Sequence, residues 1–410
     1  MSNTVFSPLT LPNGTILPNR LAKAAMEENM AATGNLPGDS ILQLYKTWSS
    51  GGTGLLITGN VMVDHRAMTG PGGIVLETST PLDPFKKWAK AGTQNGTKIW
   101  MQINHPGRQV YAAMGGQVLS PSDIALDMGK HSKLFGKPLP MTEDEILALI
   151  QRFVITASRA VEAGFNGIQI HAAHGYLLSQ FLSPLTNKRN DQWGGSLENR
   201  GRLLYEVVKA VKKALPGNIA VAVKLNSADF QRGGFDSNDA LTVVKALGEL
   251  NVDLVELSGG SYESPAMQGN TADGRTLARE AYFLEFAKEI AKQAPIPIMT
   301  TGGIVRLPVA QKVLDEGVDM VGIGRALAFR PDLPDVWKTT PDTKAILPNV
   351  KWKDKTMAAI ATMAITKRQL QRMGKGKAPK LNSSPVLSLI GDQMRLKKLT
   401  KIYRNTHTNV

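Results

Sequence analysis

The sequence predicts an α/β protein: a TIM (β/α)8 barrel with an N-terminal β-hairpin in front and a helical C-terminal extension behind. Three observations lead there. Eight short apolar runs alternate with segments of helical spacing. The runs are almost continuously apolar, as parallel strands buried on both faces must be. Polar residues stand where runs end, His171, His174 and Tyr176 after the fourth, Gly302-Gly303 after the seventh and Gly324-Arg325 after the eighth. The barrel is expected over residues 1–340 and the extension, which is basic, over 341–410.

The elements follow in order. A hairpin turns at Pro12-Asn13-Gly14 and feeds a first strand over 20–25. A helix over 38–50 stops at Gly51-Gly52, and the second strand is expected as one run over 54–63. A helix over 81–96 leads to the third strand, 98–105. Residues 107–141 are irregular and rich in Gly and Pro, which suggests a lid over the barrel mouth. Thr142 and Glu145 form a capping box, opening a helix with apolar positions 146, 149, 150, 153, 154, 157, 160 and 161 that Gly164 ends. The fourth strand is 167–170, followed by an excursion over 177–200 and a helix over about 196–215. Strands over 219–226, 252–258, 296–303 and 320–325 complete the eight, with a helix over 281–294.

Composition narrows the function. The 410 residues are 42% hydrophobic, ample for a packed core, and contain no cysteine. Disulfides, thiolate catalysis and cysteine-held iron–sulfur clusters are excluded, and a reducing, cytoplasmic setting is expected. The start carries neither a basic n-region nor an apolar h-region, and no run of 18 apolar residues could span a bilayer. The net charge of +14 sits in one place. Residues 345–410 hold 14 Lys and Arg against two acidic residues, a net +12, which leaves +2 for the first 344. Nucleic acid is therefore not expected as a partner of the barrel.

Two imidazoles and a phenol at one strand end make a set of hydrogen-bond donors with a proton source. The plainer alternative is a pair of strand-capping histidines beside a core tyrosine. A metal reading of His171-x-x-His174 lacks a further ligand at helical spacing, and no metal is assigned. Gln102 is a polar residue in the third apolar run and needs a buried partner. Lys224 interrupts the fifth run, and a buried ammonium must meet an anion or an acceptor, or else serve as a Schiff-base nucleophile of an aldolase. The Gly302-Gly303 and Gly324-Arg325 pairs make a phosphate cradle after strands seven and eight. Gly59 either admits a ring close to the backbone or relieves crowding.

The stretch HAAHGYLLSQFLSPLTNKRNDQWGGSLENR, from His171 to Arg200, resembles the signature of the Old Yellow Enzyme family of flavin-dependent ene reductases. The likeness extends over roughly residues 5 to 340. It implies non-covalent FMN and NADH or NADPH as reductant. It implies flavin contacts from Ala25, Met26, Gly59, Gln102, His171, Lys224, Gly302, Gly303, Gly324 and Arg325. His171, His174, Tyr176 and Tyr262 would meet the substrate, with Tyr176 as proton donor. The activity implied is ping-pong reduction of activated C=C bonds of α,β-unsaturated carbonyl compounds. Nitro-ester reduction and amine dehydrogenation use the same scaffold. Glu27 departs from the family, which has Thr or Cys there; it either faces the flavin or turns away to a Lys or Arg. Tyr262 and Arg275 lie in a loop over 259–280 with substrate in reach.

The extension reads as helices over 356–373 and 384–403 around a Gly374–Pro379 break. Its apolar positions, Met357, Ile360, Ala361, Ala364 and Ile365, then Leu387, Ile390, Met394 and Leu399, would dock on the barrel or on a second subunit of a homo-oligomer. The alternative is peripheral contact with an anionic membrane.

Overall fold

The computed structural model describes residues 4–266 and 280–407, so Arg275 lies outside the described residues. Eight parallel strands close on themselves: Leu21–Lys23, Leu55–Ile57, Lys98–Asn104, Gly167–Ala172, Ala220–Asn226, Leu254–Ser258, Ile298–Thr301 and Met320–Ile323. The last pairs with the first, Gly322 facing Ala22, which closes the barrel.

Parity along the strands fills its interior in layers. Ala22, Leu55, Ile57, Trp100, Ala220, Ala222, Leu254, Met299 and Met320 make an apolar floor. Leu9, Leu11 and Leu17 of the hairpin, strands Leu9–Thr10 and Ile16–Leu17, pack into it from below. Gly167 has no side chain because a Cβ would stand 2.6 Å from the Trp100 ring. Two residues further along each strand the lining turns polar, with Gln102, Gln169, Lys224 and Glu256. Helices wrap the outside and bury the larger core against the outer strand faces.

The expected second strand breaks. After Leu55–Ile57 the chain leaves the ladder over 58–60 and returns as Val61–Met62 beside the end of the third strand. The reason is local: Thr58 Oγ1 accepts from the Gln102 N–H (2.9 Å), and the Gly59 N–H donates to Glu28 and to Tyr45 Oη, each at 3.1 Å. The helix expected over 81–96 is Asp83–Gly92, ended by a tight turn with Asn95 at φ +55°. The Thr142/Glu145 box forms as expected, with both reciprocal bonds, and caps Glu143–Glu162; Gly164 beyond it is left-handed at φ +97°. Several helices come without having been singled out in the sequence, among them Leu307–Asp315 and Leu333–Thr339 after the seventh and eighth strands and two earlier ones. Leu177–Leu182 lies inside the excursion, and Ser237–Glu249 is capped by the Asp236 carboxylate.

The extension folds as Lys355–Met373 and Pro385–His407. In the first helix Ala361, Ala364 and Ile365 are buried as expected. In the second the expectation reverses. Leu387, Ile390 and Met394 are 62%, 50% and 69% exposed, while Ser388 and Tyr403 face inward. Docking there combines two polar bonds, Arg395 Nη2 to the Asn29 carbonyl (2.7 Å) and Tyr403 Oη to that of His65 (2.6 Å), with burial of the Tyr403 ring among Met62, Met68, Val75 and Met114. No described helix is long and apolar enough to cross a membrane.

Candidate active site

The sequence-predicted residues converge at one end of the barrel. Each is carried by the C-terminal end of a strand or the loop after it, where strand geometry aims side chains at a common axis. His171 sits on the fourth strand with 3% exposure, and Tyr176 follows at 6%. The His171 ring is edge-on to His174 (centroids 5.1 Å) and to Tyr176 (4.9 Å). Tyr176 Oη and Tyr262 Oη are 3.2 Å apart, so the loop after the sixth strand reaches the same spot. From Tyr262 the aromatic contacts run outward through Phe135 to Tyr111, both in the 107–141 segment. That segment therefore stands over the mouth, as a lid would.

The turn that presents these groups is held by named bonds. His174 is left-handed (φ +60°), with its N–H on Asn226 Oδ1 at 3.0 Å; Gly175 follows at φ +73°. Gln180 donates to the Gly175 and Pro106 carbonyls, at 2.7 and 3.1 Å. Gln109 donates to the His174 carbonyl (3.0 Å) and accepts from the Tyr262 N–H (3.3 Å). Beside it Arg108 pairs with Glu263 at 2.5 Å and donates to the Ile124 and Ala125 carbonyls, tying lid to loop.

The electrostatics suit donors rather than charges. Burial drives the His171 pKa well below the ordinary imidazole range, and the neighbouring His174 and Lys224 push it the same way. Burial and Lys224 do the same to His174. Both rings are neutral at pH 7. Burial, then the Glu27 carboxylate, raises Tyr176, which stays a phenol. Glu27 itself accepts from Thr69 Oγ1 (2.8 Å) and among the described residues makes no ion pair; of the two expectations, pairing with Lys or Arg is not what the fold provides.

Beneath the mouth lies a buried polar chain. Gln102 Nε2 donates to Gln169 Oε1 (2.7 Å), and Gln169 Nε2 to Glu256 Oε2 (2.8 Å). Lys224 Nζ and Thr301 Oγ1 both meet Glu256 Oε1 at 2.7 Å. The anion that Lys224 demanded is thus Glu256 on the next strand. Gln169, Glu256, Ser258 and Asn226 were all missed in the sequence. The signal was present: Glu256 interrupts its apolar run as plainly as Lys224 does.

The cradle residues divide. Gly303 is left-handed (φ +68°), but a Cβ there would fall 2.4 Å from the Tyr282 ring, so packing within the protein already requires that glycine; a Cβ on Gly324 would meet nothing within 4 Å, and no described residue engages the half-buried Arg325 guanidinium, which leaves both open to an anion. Ala25 and Met26, half-buried, leave the end of the first strand toward the same mouth. Gly59 is like Gly303. A Cβ there would fall 1.9 Å from the Glu28 carboxylate, so packing within the protein already requires the glycine. The described groups Asp64, His65 and Glu77 lie close together, but Arg66 and Arg152 hold the Asp64 carboxylate and Arg152 also meets Glu77.

Known proteins resemble this chain over most of its length. Residues 4–341 match the model of the NADH:flavin oxidoreductase / NADH oxidase family. The chain is 37% identical over 351 residues to the NADH-dependent flavin oxidoreductase iliE of Hypocrea jecorina, covering 80% of this chain and 87% of that one. It is 35% identical over 382 residues to the protein of the same name from Neonectria sp., covering 87% of this chain but only 50% of that longer one. The structure of an old yellow enzyme homologue from Zymomonas mobilis superposes with a TM-score of 0.71 at 26% identity, over 84% of this chain and 95% of that one.

Proposed function

From the premise that the chain belongs to the NADH:flavin oxidoreductase / NADH oxidase family, that of the Old Yellow Enzyme homologues, we propose that it carries hydride from NADH or NADPH to an activated C=C bond of an α,β-unsaturated carbonyl or related acceptor. FMN, held without a covalent link, would supply the hydride-transfer chemistry at this mouth. Gly302, Gly303, Gly324 and Arg325 would hold its phosphate. Ala25, Met26, Gly59, Gln102, His171 and Lys224 would face its ring.

The observation that carries the reading is the convergence of two neutral imidazoles and a protonated phenol at the single mouth. His171 and His174 donate N–H groups to the acceptor oxygen and stabilise the charge that develops there. Tyr176 gives its proton to the α-carbon, with Tyr262 holding the phenol in place. Reductant and acceptor occupy the same face in turn. A visible spectrum before and after anaerobic NADPH is the test: bleaching that cyclohexenone reverses supports the reading. A protein that neither binds added FMN nor oxidises NAD(P)H overturns it.

Glu27, a carboxylate at the mouth beside Thr69, favours one alternative substrate, an amine that would be oxidised as the hydride donor, and so amine dehydrogenation over nitro-ester reduction. The aldolase alternative loses support, because an amine held to Glu256 as an ion pair does not attack a carbonyl. A cytoplasmic place for the enzyme rests on its lack of cysteine. The tail adds a second surface. Leu387, Ile390 and Met394 share an outward face with exposed Lys397, Lys398 and Lys401, a combination that favours an anionic membrane. Co-sedimentation with phosphatidylserine vesicles should fall when the three lysines become Glu; equal sedimentation rules the contact out.

A further inference from the structure

His171 and His174 each have two ring nitrogens, and a neutral imidazole donates from only one of them. For His171 the backbone decides: the Ala173 N–H donates to Nδ1 at 3.2 Å, so the ring proton is on Nε2. For His174 no backbone group among the described residues does so. Its Nε2 instead lies 2.8 Å from Ser258 Oγ, at the end of the sixth strand. We propose that Ser258 is a positioning residue that selects the Nδ1–H tautomer of His174, so that the two rings present donors of opposite kind, Nε2–H from His171 and Nδ1–H from His174.

Ser258 is 3% exposed, and His174 Nε2 is the only described partner of its hydroxyl. If Nε2 carried the proton, Ser258 would accept it and its own buried hydrogen would have no acceptor among the described residues, which is costly for a buried hydroxyl. With Ser258 donating, the buried hydroxyl hydrogen is satisfied, and the Nδ1–H of the half-buried His174 ring is left for a bound acceptor. Asn226 supports the same arrangement from behind. It fixes the left-handed His174 backbone through Oδ1, while its Nδ2 is occupied by the Gly260 carbonyl (3.1 Å) and Asp229 (3.2 Å). The low pKa of His174 keeps the ring neutral, so that a tautomer choice exists at all. Ser258 would touch neither acceptor nor hydride; it would act through His174.

The inference deepens the reductase reading but its first test stands apart from it. Long-range 1H–15N correlation of 15N-histidine-labelled protein at pH 7.5 reports the tautomer of each of the six histidines, with His174 assigned from the His174→Ala spectrum. His174 should show the Nδ1–H pattern and His171 the Nε2–H pattern. Ser258→Ala should move His174 to Nε2–H or to a mixture, and Ser258→Thr should restore it. An Nε2–H pattern for His174 in the unaltered protein, or an Nδ1–H pattern that survives Ser258→Ala, overturns the proposal. A second readout is the affinity of the flavin-loaded protein for a para-substituted phenol. It should fall about tenfold in Ser258→Ala, with flavin content unchanged, and recover in Ser258→Thr. If no flavin binds, the reductase reading fails while the tautomer measurement still decides the role of Ser258.

Discussion

Lys224 and Glu256 occupy paired positions on the fifth and sixth barrel strands, their charged atoms 2.7 Å apart and both side chains nearly inaccessible to solvent. The pair carries the centre of the barrel, because Gln169 and Thr301 also spend their donors on Glu256. Removing one partner leaves the other as a buried uncompensated charge. Glu256→Ala should therefore lower unfolding free energy by about 3–5 kcal/mol. In a double-mutant cycle, Lys224→Met with Glu256→Leu should lose much less than the sum of the single changes. Urea unfolding of the four proteins measures this, and additive losses would show that the pair is not coupled.

Tyr176→Phe keeps the ring beside His171 and removes only the proton. Flavin reduction by NAD(P)H should be unchanged, while reoxidation by an enone slows on the order of 10²-fold. Stopped-flow traces of the two half-reactions separate these, and an unaffected second half would remove Tyr176 from the chemistry.

His105 makes stability acid-sensitive. Burial holds its pKa at about 4, its Nδ1 accepts from the Gly107 N–H, and its Nε2 has no partner among the described residues. The folded-state value is below the ordinary 6.5 of the unfolded chain, so the unfolded state binds more protons as pH falls. Stability is complete above about pH 6.5 and drops by about 3 kcal/mol on reaching pH 4. His171 and His174 act in the same direction. His105→Asn should flatten the decline of the urea midpoint between pH 7 and 5; an unchanged slope would show that His105 does not titrate in this window.

The Arg108–Glu263 pair is the tie between lid and loop. Glu263 Oε1 also accepts from the Asp127 N–H at 2.7 Å. Glu263→Ala should speed amide exchange over 108–127 and 261–266, lowering the local opening free energy by about 3 kcal/mol. Protection elsewhere in the barrel should not change. Exchange that rises uniformly would mean that the pair supports the whole fold instead.

Periodicity and burial made the barrel legible: each of the eight strands was visible as an apolar run, and the Thr142 cap was visible because its partner is three residues away. The imidazole–phenol cluster was legible because its members lie within six consecutive positions of the chain. What stayed hidden depends on distant partners. Glu256 lies 32 residues from Lys224, and only the closed sheet brings them together. The second strand breaks at 58–60 because Glu28 and Gln102 claim its backbone and side-chain bonds, which no local pattern records. In the last helix an apolar stripe promised docking, yet Ser388 and Tyr403 took the inner face, since the docking side is set by the surface beneath.

The hairpin that seats Leu9, Leu11 and Leu17 beneath the barrel separates two kinds of selection. The leucine-sealed floor gives cohesion and takes no part in chemistry. The loops at the opposite end would meet the reactants, and outside their buried anchors, Arg108, Gln109, Val110 and Met114, they add less to that cohesion. Substitutions in those loops can accumulate at small thermodynamic risk, so new acceptor preferences are within reach of a few mutations, whereas the floor has few tolerated alternatives. Libraries confined to residues 107–141 and 259–266 should retain folded protein far more often than libraries of equal size in the floor.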